Sequence, residues 1–301
     1  MPPILEPVLT DYRTSVPEAR DAEVLTLFTA SVEKLGAQLV PEVPRILDNV
    51  LEVTLDMINK NFEDFPEHRL RFYALLKAVN NATFEAILRL KGEHQKLVVD
   101  AVVWGMKHTD RNIAEMALEI LFDLLQNVGR APEVAPAFYQ AYLPDLISDI
   151  FVVMTDRLHK SGFKMHATLL RQIFTLIELG QVTAPLFDPA SQPSEQTNQQ
   201  FMRESVLELL SRSFPNLTRT MIVAFVSGLF DQSKDLAAYK THLRDFLVQL
   251  KEFSAEDNSD LFHEEAALQR AQQEEQQRAS RLAVPGMVNP YDAPDQDMGD
   301  L

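Results

Sequence analysis

Apolar residues recur at offsets of three, four and seven in one segment after another of this chain, and that repetition excludes most folds. Such spacing lines one face of an α-helix, whereas a half-buried strand would alternate at every second residue. The first segment places Ile4, Leu5, Val8, Leu9 and Tyr12 on one face, with Pro7 acceptable only in a first turn. A second uses Val24, Leu25, Phe28, Val32 and Leu35 and stops at Gly36. The third is regular, with Val43, Ile46, Leu47, Val50, Thr54, Met57 and Ile58 on its stripe and both Pro41 and Pro44 expected in its first turn. A fourth, Leu70 to Leu88, is organised around Phe72, Leu75, Leu76 and Val79.

The pattern runs on. His94 to Thr109 is an apolar helix holding the single tryptophan, Trp104. Asp110 to Gly129 carries the fullest stripe (Ile113, Met116, Ala117, Ile120, Leu121, Leu124, Leu125 and Val128), and Gly129 is expected to close it. Pro132 to Asp156 pairs with Lys164 to Gly180, and Pro144 predicts that the first of these kinks or splits. Phe201 to Phe214 pairs with Thr218 to Gln232, and Thr241 to Phe253 opens the closing pair. The polar, proline-bearing stretch from Gln181 to Gln200 reads as a surface loop, because the helical pattern resumes after it.

About six antiparallel helix pairs at intervals of roughly 40 to 55 residues match HEAT-type repeats. Each pair can bury its apolar face only by stacking on a neighbour. The expected fold is therefore all-α, an α-α superhelix or HEAT-repeat solenoid, with a C-terminal extension helix and acidic tail. Two separate bundles divided at Gln181 to Gln200 are the alternative, opposed by the lack of a composition change or a glycine-serine linker there.

Few chemistries survive this composition. There is no cysteine, hence no disulfide, thiol nucleophile or thiolate metal site. The seven histidines include no H-x-x-x-H pair, and neither a phosphate-binding glycine loop nor a G-x-S-x-G elbow occurs. Glu264-Glu265 and Glu274-Glu275 are consecutive, so on a helix each pair diverges by about 100° and cannot share a proton across a substrate. No active site can be assembled, and no cofactor is expected. No run approaches the ~18 to 20 apolar residues of a membrane span, and MPPILEPVL lacks the basic and apolar regions of a signal peptide. With 28 basic against 44 acidic residues, the formal charge is -16. That balance opposes nucleic acid and anionic membranes and favours either a basic protein partner or solubility alone. Trp104 and Phe72 are read as inter-helix core rather than anchors of a peptide groove. Lys160, Lys164 and Arg171 form at most a small basic patch.

The C-terminal stretch differs in kind. Leu243, Phe246, Leu247, Leu250 and Phe253 keep the stripe, but beyond Leu268 apolar residues thin out while helix formers continue to about Ala283. From Ala255 onward acidic residues outnumber basic ones by roughly three or four to one. A helix of about 25 residues would span ~37 Å, enough to touch three or four stacked helices ~8 to 10 Å apart. Leu261, Phe262 and Leu268 would dock its near end, and VPGMVNPYDAPDQDMGDL has the composition of a disordered tail.

HLRDFLVQLKEF, EDNSDLF and VPGMVNP resemble the C-terminal end of nuclear export receptors of the importin-β (karyopherin) family. LEPVLTDY, INKNFEDFPEHR, KHTDRNIAEMALEILFDLLQNV, MHATLL and VSGLFD agree in the same order, so the resemblance covers the chain after Met1. It implies roughly the last third of a ring of HEAT repeats, and it places the groove for leucine-rich export signals upstream of this stretch. It further implies that residues 1–256 are C-terminal HEAT repeats, 257–284 a helix crossing the ring and 285–301 an acidic tail. This part of the receptor would help enclose Ran-GTP, while the last helix and tail would lower cargo affinity without Ran. The residues implied in that regulation are Leu261, Phe262, Glu264, Glu265, Leu268, Glu274, Glu275, Asp292, Asp295, Asp297 and Asp300. The implied partners are Ran-GTP, export cargo and nucleoporins, with the receptor shuttling between nucleus and cytoplasm and without enzymatic activity. A departure is the glutamine-rich shaft AALQRAQQEEQQRASR, which weakens the case for specific ion pairs across the ring. The isolated chain is also expected to self-associate through its first helix pair, Ile4 to Leu35.

Overall fold

The computed structural model describes residues 5–156, 162–190, 195–254 and 259–262, together with Ala266, Arg270, Gln273 and Glu274. Among these residues there are twelve α-helices and no strand: α1 Leu5–Thr14, α2 Glu23–Leu35, α3 Val43–Ile58, α4 Pro66–Ala82, α5 Phe84–Leu88, α6 Gly92–Met106, α7 Arg111–Gly129, α8 Ala135–Thr155, α9 Phe163–Glu178, α10 Asn198–Ser213, α11 Arg219–Asp231 and α12 Leu236–Ser254. They stack in two rows. One runs α1, α3, α6, α8, α10, and the other α2, α4, α7, α9, with α11 and α12 closing on α9. The expected all-α solenoid is what forms. Buried apolar side chains from Leu5 to Leu261 make one connected core, continuous across the 181–200 connection.

The stripes read from spacing are the buried faces. All seven stripe residues of α3 are buried, and so is the α7 stripe apart from Met116, which packs against the core partly covered. The 181–200 connection is fastened rather than loose. Val182 and Leu186 are buried, and the Asn198 side chain donates to the Val182 and Ala184 carbonyls and accepts from the Leu186 N–H, all within 2.9 Å. Thr197 and Gln200 then form a capping box that starts α10.

Several details differ from what spacing predicts. Leu35 is exposed, because Gly36 at φ 50° ends α2 before the stripe turns inward again. Pro41 lies ahead of α3, and only Pro44 sits in its first turn. The fourth segment is two helices. Thr83 leaves helical geometry at φ -142°, its buried hydroxyl donating to the Val79 carbonyl, and α5 restarts behind it. Gly129 is the last helical residue of α7 without left-handed geometry, and Arg130 and Ala131 close that end with N–H bonds to the Asn127 and Val128 carbonyls. Pro144 does not divide α8, which runs unbroken for 21 residues.

Arg69 holds the turn between α3 and α4. Its guanidinium lies 2.8 to 3.0 Å from the carbonyls of Ile58, Asn61 and Asp64, supplying donors to a helix end that has lost its own. The turn closes at Phe65, in left-handed geometry at φ 53° just before Pro66.

Two observations set testable consequences. A Cβ at Gly105 would lie 2.5 Å from the Tyr73 ring, and that ring is buried and tethered by a 2.6 Å bond from its hydroxyl to the Ala101 carbonyl. Glycine to alanine inside a helix ordinarily gains about 1 kcal/mol. Gly105→Ala is instead expected to lose about 1 to 3 kcal/mol through overpacking, read as a lower urea midpoint. His68 is held below the ordinary imidazole pKa by burial, partly offset by its ring N–H donating to the Arg20 carbonyl. A depressed folded pKa means that stability is lost as pH falls through the unfolded value near 6.5. The urea midpoint should therefore drop between about pH 7.5 and about pH 5.5, and by less in His68→Gln.

Candidate functional site

α12 presents three sides to its surroundings. Tyr239, Leu243 and Leu247 enter the core. His242 and Phe246 face α11, where Phe225 lies between them, stacked on Phe246 at 3.6 Å and on His242 at 5.1 Å. The His242 Nε2–H donates to the Phe225 carbonyl at 2.8 Å, and Gly228 leaves room for the ring, since a Cβ there would stand 2.2 Å from Nε2. On the side toward α9, burial drives the Tyr239 phenol well above its ordinary pKa, opposed by the nearby Arg171 guanidinium. The Thr175 hydroxyl also bonds to the Ser233 carbonyl at 3.0 Å, tying α9 to the turn before α12.

This fixed helix carries Arg244. Its guanidinium lies 5.5 Å from the ring centroid of Phe163, the first residue of α9, and 5.1 Å from that of Phe262. Phe262 belongs to a short 3-10 turn, Ser259–Phe262, that returns the chain to the solenoid beyond α12. In that turn Leu261 is 6% exposed and joins the core, while Phe262 remains 41% exposed. A 3-10 turn stands where the sequence reading placed the start of a long α-helix. Its tighter winding suits a single inward residue followed at once by an outward one.

Of the other implied regulatory residues, Glu274 is exposed with helical backbone. Glu264, Glu265, Leu268, Glu275, Asp292, Asp295, Asp297 and Asp300 lie outside the described residues. Phe253 lies in the last turn of α12, at 251–254, whose side chains are likewise outside them.

The remaining candidates form no second site. Phe72 is fully buried. Trp104 is partly buried, with Phe62 and His108 rings each 5.3 Å away and the Arg69 guanidinium 5.9 Å from its ring. The basic patch is dispersed: Lys164 is exposed, Arg171 half-buried against Tyr239, and Lys160 outside the described residues. Among the described residues no helix is long and apolar enough to cross a membrane, and no group of three His, Asp or Glu side chains is placed to hold a metal ion.

Arg244 and Phe163 escaped the sequence reading. A weak signal existed: a lone arginine beside Leu243, at the edge of a buried stripe, spreads its stem over apolar surface and its guanidinium over any ring within reach. Nothing local in the sequence names Phe163 as that ring.

Residues 1–255 match the family described as CRM1 C terminal. Relatives include Protein EXPORTIN 1A of Arabidopsis thaliana, 44% identical over 98% of this chain and 27% of its own length. Exportin-1 of Drosophila melanogaster is 44% identical and Exportin-1 of Schizosaccharomyces pombe 42%, each over 100% of this chain and 28% of the relative. The chain thus spans a little over a quarter of the length of the relatives it matches. On the extent of that match and the stacked helices beneath it, the chain belongs to the CRM1 C-terminal family of the exportins.

Proposed function

We propose that this chain is the C-terminal segment of a nuclear export receptor, a transport protein without enzymatic activity that carries leucine-rich export-signal cargo with Ran-GTP between nucleus and cytoplasm. Its repeats help enclose Ran. The stretch from 257 to 284 and the acidic tail from 285 to 301 lower cargo affinity when Ran is absent. The observation that carries the regulatory part is the root at Leu261 and Phe262. One side chain is buried and the next is nearly half exposed, so at this turn a single apolar side chain enters the core. An element attached this lightly can be released at small cost, and allosteric coupling needs only ~1 to 3 kcal/mol.

The test compares the complete receptor with one cut after Phe253. Cargo affinity without Ran-GTP is expected to rise by about 5- to 150-fold in the shortened receptor, measured by fluorescence anisotropy of a labelled export-signal peptide. An unchanged affinity would overturn the regulatory reading. The net charge of -16 supports a second reading, an acidic scaffold for a basic protein or nucleoporin. Binding that survives removal of the tail and vanishes at moderate salt would favour it, because exposed charges are screened within about 8 to 10 Å.

For the chain alone, three large apolar side chains in or beside the first two helices, Val16, Leu27 and Leu35, stand exposed. Self-association through this end is expected, and a Leu27→Lys change should weaken it. Analytical ultracentrifugation that finds a strict monomer across the concentration range would contradict this.

A further inference from the structure

Three parts of the chain, far apart in sequence, meet at Arg244. α9 begins there with Phe163, α12 supplies the guanidinium, and the 259–262 turn brings Phe262. Each of the first two is held in place by something else. Phe163 follows Gly162, which stands at φ +84° with its carbonyl accepting the His166 Nδ1–H at 2.8 Å. A Cβ at Gly162 would be strained by that φ and would also press within 3.3 Å of Leu118 and His166. Arg244 rides on a helix fixed by the stacked Phe225, His242 and Phe246 rings. The third part is different. Among its described side chains, Leu261 enters the core and Phe262 presents a face to Arg244.

We propose that Arg244 is the positioning residue of a latch: its guanidinium, shared between the Phe163 and Phe262 rings, holds the 259–262 turn on the α9–α12 seat and sets how often that turn leaves it. A planar, delocalised, weakly hydrated cation can engage two aromatic faces, and lysine, a compact and strongly hydrated charge, does so less well. Phe163 and Arg244 stay on the seat when the turn lifts, so the contact to Phe262 is made and broken with it. Leu261 supplies the apolar part of the docking and Arg244 the directional part. The latch deepens the regulatory reading given above and rests on it only for its consequence in the complete receptor.

The experiment measures hydrogen exchange at residues 259–262 in the 301-residue chain and in Arg244→Gln, Arg244→Lys, Phe262→Leu and the Arg244→Gln/Phe262→Leu double variant. A cation–π contact at exposed sites corresponds to about a 2- to 5-fold change in an equilibrium. Arg244→Gln is therefore expected to speed exchange at 259–262 by about 2- to 5-fold, or by up to about 30-fold if freeing Phe163 also loosens the seat. Arg244→Lys should fall between wild type and Arg244→Gln. Phe262→Leu should have a clear effect alone and a much smaller one once Arg244 is glutamine, because the partner has already gone. Unchanged exchange in Arg244→Gln, or effects of the two single variants that multiply independently, would overturn the latch. Faster exchange in α3 and α4 as well would also overturn it, by making Arg244 a general stability residue. Cargo affinity of the complete receptor is a separate readout. Faster exchange at 259–262 with cargo affinity unchanged supports the latch and counts against the regulatory reading. Unchanged exchange removes the latch whatever truncation does to cargo.

Discussion

Each helix from α1 to α12 carries a face too apolar to leave in water, and a two-row stack is what covers it. A helix in such a stack has neighbours before and after it in its own row and across from it in the other. The core is therefore a continuous strip without a centre, running from Leu5 to Leu261. Polar groups inside the strip must find partners close by, as the Tyr12 hydroxyl does with Thr54 at 2.8 Å and the Asn127 side chain with the Asn80 carbonyl at 2.8 Å. At two places a glycine faces a ring from another helix, Gly105 against Tyr73 and Gly228 against His242. Those contacts fix spacing between helices, which apolar burial alone leaves free.

The long stripes were legible because helical periodicity and burial are one fact seen twice. Val43 to Ile58 and Ile113 to Val128 fall on buried faces for that reason. Helix ends were less legible, because they depend on what the last turn meets. Thr83 ends α4 through its own hydroxyl, within a run whose apolar spacing continues unbroken into Phe84 and Ile87. Pro144 predicts a kink or a split, and the split does not occur, because the buried line Tyr139, Leu143, Leu146, Ile147 and Ile150 continues on both sides of it. The carbonyl that loses its partner to the proline belongs to Gln140, on the exposed side, where solvent can replace the bond. Arg69 was invisible for another reason. An arginine inside an amphipathic pattern reads as a solvated face, and only the folded turn shows three carbonyls converging on it.

The same distinction separates the two halves of the C-terminal root. Leu261 and Phe262 were legible as an apolar pair set in an acidic stretch. Arg244 and Phe163 were not, because a contact between a cation and a ring joins residues from different repeats and leaves no periodic trace. Spacing along the chain can say that a segment has something to dock. What receives it is decided by which repeats the stack has already brought together, here the start of α9 and the middle of α12.

Magnitudes indicate how firmly that root is held. Burying Leu261 contributes about 1.5 to 3 kcal/mol. One partly exposed cation–π contact adds about 0.5 to 1 kcal/mol. Together these contribute about 2 to 4 kcal/mol at the turn, a small sum beside that of α12, whose buried rings and leucines face several neighbours. A contact of about 1 kcal/mol is negligible within the strip of core behind it. At the root it is about a quarter of the stabilisation that Leu261 and the ring contact supply together, and this gives one guanidinium a leverage there that it lacks within the core.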